Sequence, residues 1–597
     1  MSSTENSQNT SRAWWKESSV YQIYPASFKD SNNDGIGDIP GIISKLDYIK
    51  SLGVDIVWLS PILQSPQVDM GYDVSDYKKI HESYGTLDDV DDLIAGLHSR
   101  GMKYVMDLVV NHTSDQHEWF RESRASTQNK FRDWYIWRKP RYDEEGRQLP
   151  PNNWSSYFGG SAWEYDKQTN EYYLHLFATE QPDLNWENQE VRNAVHSIVR
   201  FWLDKGVDGF RLDVINFISK VGGLPDAPVT EPGKQWQHGA THYACGPRLH
   251  EYLRDLGAIF KEYDAFSVGE MPFVFQPAEI LKSVGFDRQE LSMVFQFEIV
   301  DIDHGREGRF TPGKWKMADL KSIVNKWQTF MIENNGWNAL VLESHDQGRA
   351  ISRFASDKPK WREIASKMVA TFMGFQSGTV FIYQGQELAQ ANVPESWTID
   401  MFRDIETLNH WKGLGESNPS NVRQRQVAMS QYKIKSRDNA RTPIQWDGSR
   451  HAGFTTNDRP WIDVHEDYRT WNVASQVTRP DSAYNYWAAM LRLRKELPNT
   501  FVYGDFKLVS PENEDIFAYL RTYDEFQSAL VVANFREDIV DWRVPAEAAR
   551  YFTGQSAAIG NYEKPPTLSD ATGAIQLRPF EAFVLVNRPD RQQSAEI

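Results

Sequence analysis

A chain of 597 residues is too long for one hydrophobic core, so two to four domains are expected. Hydrophobic residues at 40%, charged residues at 25%, and 22 Trp, 26 Tyr and 31 Phe exclude a disordered chain. A formal net charge of -17 repels phosphate backbones and excludes a general affinity for nucleic acid. The lone cysteine, Cys245, permits no intrachain disulfide and suits a reducing compartment. The polar N-terminus, MSSTENSQNTSRAWW, lacks the apolar core of a secretory signal, and no run approaches the roughly 18 apolar residues of a membrane span. A cytoplasmic protein with no membrane partner is expected.

Residues 1–12 read as a disordered lead-in. YQIYPASF then looks like a strand, and DSNNDGIGD (Asp30 to Asp38) follows at its exit. Asp30, Asn32, Asp34 and Asp38, with the carbonyl of Ile36, form a compact set of hard oxygen ligands, which suits one structural Ca2+ or Mg2+. The loop is not an EF-hand: no helix enters it, and Gly41 stands where the twelfth-position Glu belongs. VDIVWLSP (54–61) reads as a buried strand, YGTLDDVDDLIAGLHSRG (84–101) as a helix with Gly101 at its C-terminal end, and YVMDLVVNHTS (104–114) as a strand. Strand, helix, strand implies a parallel sheet under covering helices. From 115 to 185 the pattern breaks into Trp, Tyr, Pro and Asn, with one alternating run, EYYLHLF (171–177), as in a small inserted domain. VRNAVHSIVRFWLDKG (191–206) is an amphipathic helix, and GFRLDV, FSVGEMP (266–272) and NALVLESHDQGR (338–349) repeat the strand form. ASKMVATFMGFQSGTVFIYQGQEL (365–388) adds a helix and a strand. After about 510 the short alternating runs IFAYLRTY, SALVVANF and FEAFVLVN predict an antiparallel β domain.

Four strands end in a burst of charge: MDLVVNHTSD, GFRLDV, SVGEMP and ESHDQGR. In a (β/α)8 barrel such ends meet at one mouth. Arg211 and Asp213, two apart on a strand, face the same way, and the guanidinium holds the carboxylate ionised. Either this is a structural ion pair or Asp213 is kept ready for nucleophilic attack. Glu270 closes an apolar strand, where burial raises its pKa and suits it to proton donation. Asp346 follows His345, with Arg349 close behind. Paired carboxylates point to glycoside hydrolysis, in which one acid protonates the departing oxygen while the other attacks the anomeric carbon. Tyr72, Phe158, Phe177 and Phe210 are candidate flat surfaces for sugar C–H faces, each also readable as core.

The blocks DLVVNH (107–112), GFRLDV (209–214), VGEMP (268–272) and SHDQ (344–347) stand in the order of a known family, with QPDLNW (181–186), DMGYD (69–73), YYLHLF (172–177) and DNARTPIQW (438–446) beside them. Over roughly residues 15 to 590 the chain resembles the α-amylase superfamily, glycoside hydrolase family 13, in its α-glucosidase and oligo-1,6-glucosidase branch. The resemblance implies an α/β fold: a (β/α)8 barrel over 13–114 and 186–510, an inserted domain B over 115–185, and a C-terminal antiparallel domain over 511–597. It implies that Asp213 is the nucleophile, Glu270 the acid/base and Asp346 the transition-state stabiliser. His112, Arg211 and His345 line the first subsite, Asp69 and Arg441 hold the terminal glucose in a blind pocket, and Tyr72 is the stacking platform. No cofactor is needed for the chemistry, and the partners are small oligosaccharides. One block departs from the family pattern: Ser344 replaces the usual Asn, and Gly348 the frequent Pro. In this branch the residue after the nucleophile tracks linkage, Val resembling the oligo-1,6-glucosidases and Thr or Ala the maltases. Val214 therefore implies α-1,6 preference with some α-1,4 and sucrose activity. The rivals are a maltase-type enzyme, a transglucosylase or sucrose isomerase, and a non-enzymatic transporter subunit, which retention of all three carboxylates disfavours.

Overall fold

The strand ends that the sequence charges are brought together by closure of one sheet. The computed structural model describes residues 12–305, 308–417, 421–524, 526–549, 551–568 and 573–587. Most of the expected lead-in lies outside them; Arg12, inside them, donates to Asn499 Oδ1 at 2.5 Å. Eight parallel strands run in chain order: β1 (Ser19–Ile23), β2 (Ile56–Leu59), β3 (Lys103–Leu108), β4 (Gly209–Leu212), β5 (Phe266–Glu270), β6 (Met293–Phe295), β7 (Ala339–Leu340) and β8 (Thr379–Tyr383). In space they lie β6-β5-β4-β3-β2-β1-β8-β7. A parallel bridge between Val294 and Asn338 joins the two ends into a barrel. The expected strand at 338–349 is thus shorter than its apolar run, and the segment from Val341 to Asp346 is irregular.

Alternation along each strand decides what fills the barrel. Val20, Ile56, Trp58, Val105, Phe266, Val268, Met293, Phe295, Ala339 and Phe381 belong to one buried interior cluster. Two residues further along, the same inward positions are Asp107 on β3, Arg211 on β4 and Glu270 on β5. A packed apolar plug therefore carries a charged layer at its C-terminal end. Phe210 points the other way, onto Phe260 at 6.0 Å between ring centroids, so it is core and not a sugar platform. Gly209 pairs with Phe266, where a β-carbon would meet the Phe266 carbonyl oxygen at 2.3 Å.

The helix read at 84–101 spans Leu87–Ser99. Thr86 and Asp89 cap it reciprocally, and Val90, Leu93, Ile94 and Leu97 face the core. Gly101, at φ 65, reverses the chain just past its end. Between β3 and β4 sits an antiparallel sheet of Trp137–Arg138, Glu171–Leu174 and Trp163–Asp166. Its apolar cluster, with Trp154, Phe158, Trp163 and Phe177, also takes in Val214 and Phe217 from the end of β4, which ties the insertion to the barrel mouth. The C-terminal runs form a five-stranded antiparallel sheet that begins at Asp505, earlier than the alternation suggested. Among the described residues no helix is long and apolar enough to cross a membrane.

Candidate active site

At the C-terminal ends of the strands lies a cavity of about 710 Å3, measured out to its open mouth. Asp69, Tyr72, His112, Phe158, Phe177, Asp213, Val214, Glu270 and Asp346 all line it. They come from six separate stretches of chain, counting the inserted segment with Phe158 and Phe177 as one, which only the barrel brings together.

Arg211 lies beneath them as a hub. Its Nη1 donates to Asp107 Oδ1 at 3.0 Å and to Asp213 Oδ1 at 2.7 Å, and its Nη2 pairs with Glu270 Oε2 at 2.7 Å. One guanidinium therefore stands between Asp213 and Glu270, hydrogen-bonded to the first and ion-paired with the second. The backbone turns sharply at this point. Val214 has φ 33 and ψ 43, a left-handed conformation that a β-branched residue adopts only at a cost, and its N–H donates to Glu270 Oε2 at 3.2 Å. Burial pushes Glu270 up to about 8, with Asp213 and Asp346 adding to the rise and Arg211 opposing it. Burial likewise raises Asp213 to about 7, against the pull of Arg211. Glu270 thus keeps its proton to a higher pH than its partner.

Asp346 has the opposite bias. Burial opposes its ionisation, yet His345, Arg437 and Arg441 together hold it well below the usual carboxylate range. Burial lowers His345 to about 3, so that ring is neutral near pH 7 and the sustaining charge comes from the arginines. Gln22 donates to His345 Nδ1 at 2.8 Å, which leaves the ring proton on Nε2. That nitrogen lies 2.6 Å from the Tyr72 hydroxyl and 3.1 Å from Asp346 Oδ2. The Tyr72 hydroxyl then donates to Asp107 at 3.1 Å, joining this chain to the Arg211 hub. His112, lowered to about 4 by burial, is also neutral; its Nε2 contacts the Tyr72 carbonyl at 3.0 Å.

Arg211 and His345, expected to line the first subsite, are not among the residues that line the cavity, and the arginine paired with Asp69 also differs from the expectation. Arg437, not Arg441, reaches Asp69, with Nη2 to Oδ1 at 3.0 Å, and it is Arg437 that lines the cavity. Arg441 stands one helical turn behind, donating to the His345 carbonyl at 3.2 Å and pairing with Asp346 at 3.3 Å. Asp69 and Arg437 are both buried and both line the cavity. Tyr157, Phe297, Asp301, His304, Arg309, Gln347 and Glu406 also line the cavity, beyond the residues expected from the sequence. None falls in a strand-end block except Gln347, which was quoted in SHDQ without a role.

The loop from Asp30 to Asp38 lies apart from the cavity, between β1 and the helix Ile39–Ile43. Asp30 accepts from the backbone N–H groups of Asn32, Asn33 and Gly35 and from the Thr455 hydroxyl. Asp38 accepts from Ser31 and Gly41, Asn32 from Asp34, and Asp34 from Ile36. Among the described residues no cluster of three or more His, Cys, Asp or Glu side chains is set to hold a metal. Asp30, one of the expected ligands, accepts two hydrogen bonds on each oxygen and is fully used by these contacts, whereas the engaged oxygens of Asn32, Asp34 and Asp38 accept one each and keep a lone pair free.

Known proteins share this architecture. The sequence profile described as alpha amylase, catalytic domain, matches residues 22–504. An α-glucosidase of Schizosaccharomyces pombe is 51% identical over 574 residues, covering 96% of this chain and 98% of its own. An oligo-1,6-glucosidase of Parageobacillus thermoglucosidasius is 48% identical over 574 residues, covering 96% and 99%. The crystal structure of an isomaltulose synthase from Protaminobacter rubrum superposes with a TM-score of 0.90 at 39% identity, over 97% of this chain and all of that one. The chain is an enzyme and belongs to the α-amylase family, glycoside hydrolase family 13, in the branch of the α-glucosidases and oligo-1,6-glucosidases.

Proposed function

We propose that the protein is a retaining, exo-acting α-glucosidase that removes terminal non-reducing glucose from short oligosaccharides. One observation carries the reading: a single guanidinium bridges Asp213 and Glu270, and the acid with the higher pKa is Glu270. In the first step Glu270 gives its proton to the glycosidic oxygen as Asp213 attacks the anomeric carbon, forming a glucosyl ester and releasing the aglycone. In the second, Glu270 takes a proton from water, which displaces Asp213 and restores both acids. Asp346, kept anionic, binds hydroxyls and favours the positively charged transition state. Asp69 and Arg437 grip the hydroxyls furthest from the bond, which makes the action exo. His112 and His345 supply neutral hydrogen-bonding groups, and Tyr72 and Phe177 supply the flat walls.

The relatives include both an α-glucosidase and an oligo-1,6-glucosidase, so broad cleavage of α-glucosidic ends is the reading they favour most. Val214 adds a bias toward α-1,6 ends, with α-1,4 ends and sucrose also accepted. An apolar β-branched wall offers no hydroxyl to the aglycone, a difference worth about 1–3 kcal/mol. Transfer to a sugar in place of water is the second reading. It is supported by the likeness to an isomaltulose synthase and needs no other residues, since both outcomes begin from the same ester. We further propose that Asp30, Asn32, Asp34, the Ile36 carbonyl and Asp38 hold one Ca2+ or Mg2+, whose part is to fix the loop after β1.

A kinetic panel of isomaltose, maltose and sucrose, with the released anomer followed by NMR, tests the function. α-Glucose appears first, and Asp213→Ala lowers turnover by about 10⁴-fold or more. Val214→Thr raises maltose turnover relative to isomaltose. β-Glucose as the first product, or undiminished activity in the Asp213 variant, overturns the mechanism.

A further inference from the structure

Asp404 is fully buried and does not line the active-site cavity, yet it touches the arginine that does. Its Oδ1 accepts from Arg437 Nε at 2.7 Å and pairs with Arg437 Nη2 at 2.7 Å, and Arg441 Nη1 lies 3.8 Å from the same oxygen. Its Oδ2 accepts from the Thr407 N–H at 3.2 Å and lies 2.8 Å from the Thr407 hydroxyl, capping the first turn of the helix Ile405–Ser417. The hold is reciprocal. Asp438, the residue after Arg437, accepts on Oδ2 from the N–H groups of Arg403 at 2.7 Å and Asp404 at 2.9 Å. Backbone and side chain of Asp404 are thus both fixed against the segment that carries Arg437.

Contact lengths rank the partners of Arg437. Those to Asp404 have the length of charge-assisted hydrogen bonds. The contact with Asp69 Oδ1 is longer, at 3.0 Å, and Nη1 stands 3.5 Å from Asp346 Oδ1, beyond a good hydrogen bond. Arg437 is therefore drawn back from the two carboxylates that face the cavity. Buried charges attract strongly at these distances. Without the charge on Asp404, the guanidinium closes on Asp69 and Asp346 and occupies oxygens that sugar hydroxyls need. An amide does not replace the carboxylate. With its oxygen kept on Thr407 it turns an NH2 group toward Arg437 Nε, donor to donor.

We propose that Asp404 is a positioning residue that tethers Arg437 away from Asp69 and Asp346, so that both keep oxygens free for the hydroxyls of the terminal glucose. The inference rests on the exo-α-glucosidase reading above. Its test is inhibition of isomaltose cleavage by free glucose in the wild type, Asp404→Asn, Arg437→Ala and the double variant, each with its melting temperature. Asp404→Asn is expected to raise KM and the glucose Ki about tenfold, the worth of one hydrogen bond to a charged group, with a smaller fall in kcat. A residue needed only for folding lowers the melting temperature and leaves both constants unchanged. In Arg437→Ala the tether has nothing to hold, so adding Asp404→Asn is expected to leave Ki within about twofold. That comparison stands even where Asp404→Asn alone does not fold, because the double variant strands neither charge of the pair. Unchanged KM and Ki in Asp404→Asn, or a further loss in the double variant, overturns the proposal. Failure of the wild type to cleave isomaltose overturns the underlying reading instead.

Discussion

Arg211 is shared by two acids that must hold opposite protonation states for the reaction to begin. The proposed mechanism needs Asp213 ionised and Glu270 protonated, and burial raises both groups, Asp213 to about 7 and Glu270 to about 8. The profile of kcat/KM is therefore expected to be a narrow bell, rising as Asp213 loses its proton and falling as Glu270 does. Because one guanidinium serves both, the two limbs belong to the pair. Glu270→Gln is expected to abolish the falling limb and to lower turnover of ordinary disaccharides about 10³-fold. A dinitrophenyl glucoside, whose leaving group needs no proton, keeps most of its first-step rate. Pre-steady-state bursts at several pH values measure this, and an unchanged falling limb removes Glu270 from the role. Asp213, Glu270 and Arg211 were legible in the sequence because charge at the end of an apolar strand has few structural reasons to exist. Arg437 was not. It stands one residue before the DNARTPIQW block, and only its contact with Asp69 separates it from Arg441.

At the scale of the strand, Gly209 matters as much as the charges it precedes. The register Gly209 with Phe266, and Arg211 with Val268, sets the height at which Arg211 meets Glu270. Gly209→Ala pushes a methyl group into the Phe266 carbonyl and moves β4 relative to β5. Overpacking of this kind costs about 1–3 kcal/mol. A lowered melting temperature together with a kcat reduced on every substrate, while KM changes little, is the expected signature. A stable variant with unchanged kcat shows that the register tolerates the methyl group. Apolar runs and period-two alternation were enough to read β2, β3, β4, β5 and β8, and capping residues marked the helix Leu87–Ser99. The shortness of β7 was hidden, since NALVLE looks like a full strand while only Ala339 and Leu340 pair with β8.

For the whole molecule, the proton on Glu270 is also a term in stability. Its folded pKa is raised above the unfolded value of about 4.3. The resulting contribution is complete below that pH and is lost progressively as pH rises to about 8. Glu270→Gln does not titrate, so the difference between the two proteins reports Glu270 together with its coupling to Asp213 and Asp107. The melting temperature of the variant relative to the wild type is thus expected to climb between pH 5 and pH 8.5, by an amount equivalent to a few kcal/mol. A difference that is flat with pH shows that Glu270 ionises in the fold at no extra cost. Long-range assembly was the least legible feature. β1 pairs with β8 across some 360 residues, and Phe297, Asp301, His304 and Arg309 carry no motif because they lie outside the barrel strands, His304 and Arg309 on a small antiparallel pair of their own.

The cylinder is fastened unevenly. Seven of its joints are runs of paired strands, and the eighth is the lone link between Val294 and Asn338. Just beyond that link the chain passes to His345 and Asp346. Gentle loosening by heat or urea should part the wall here first, silencing the enzyme while its outline is still intact.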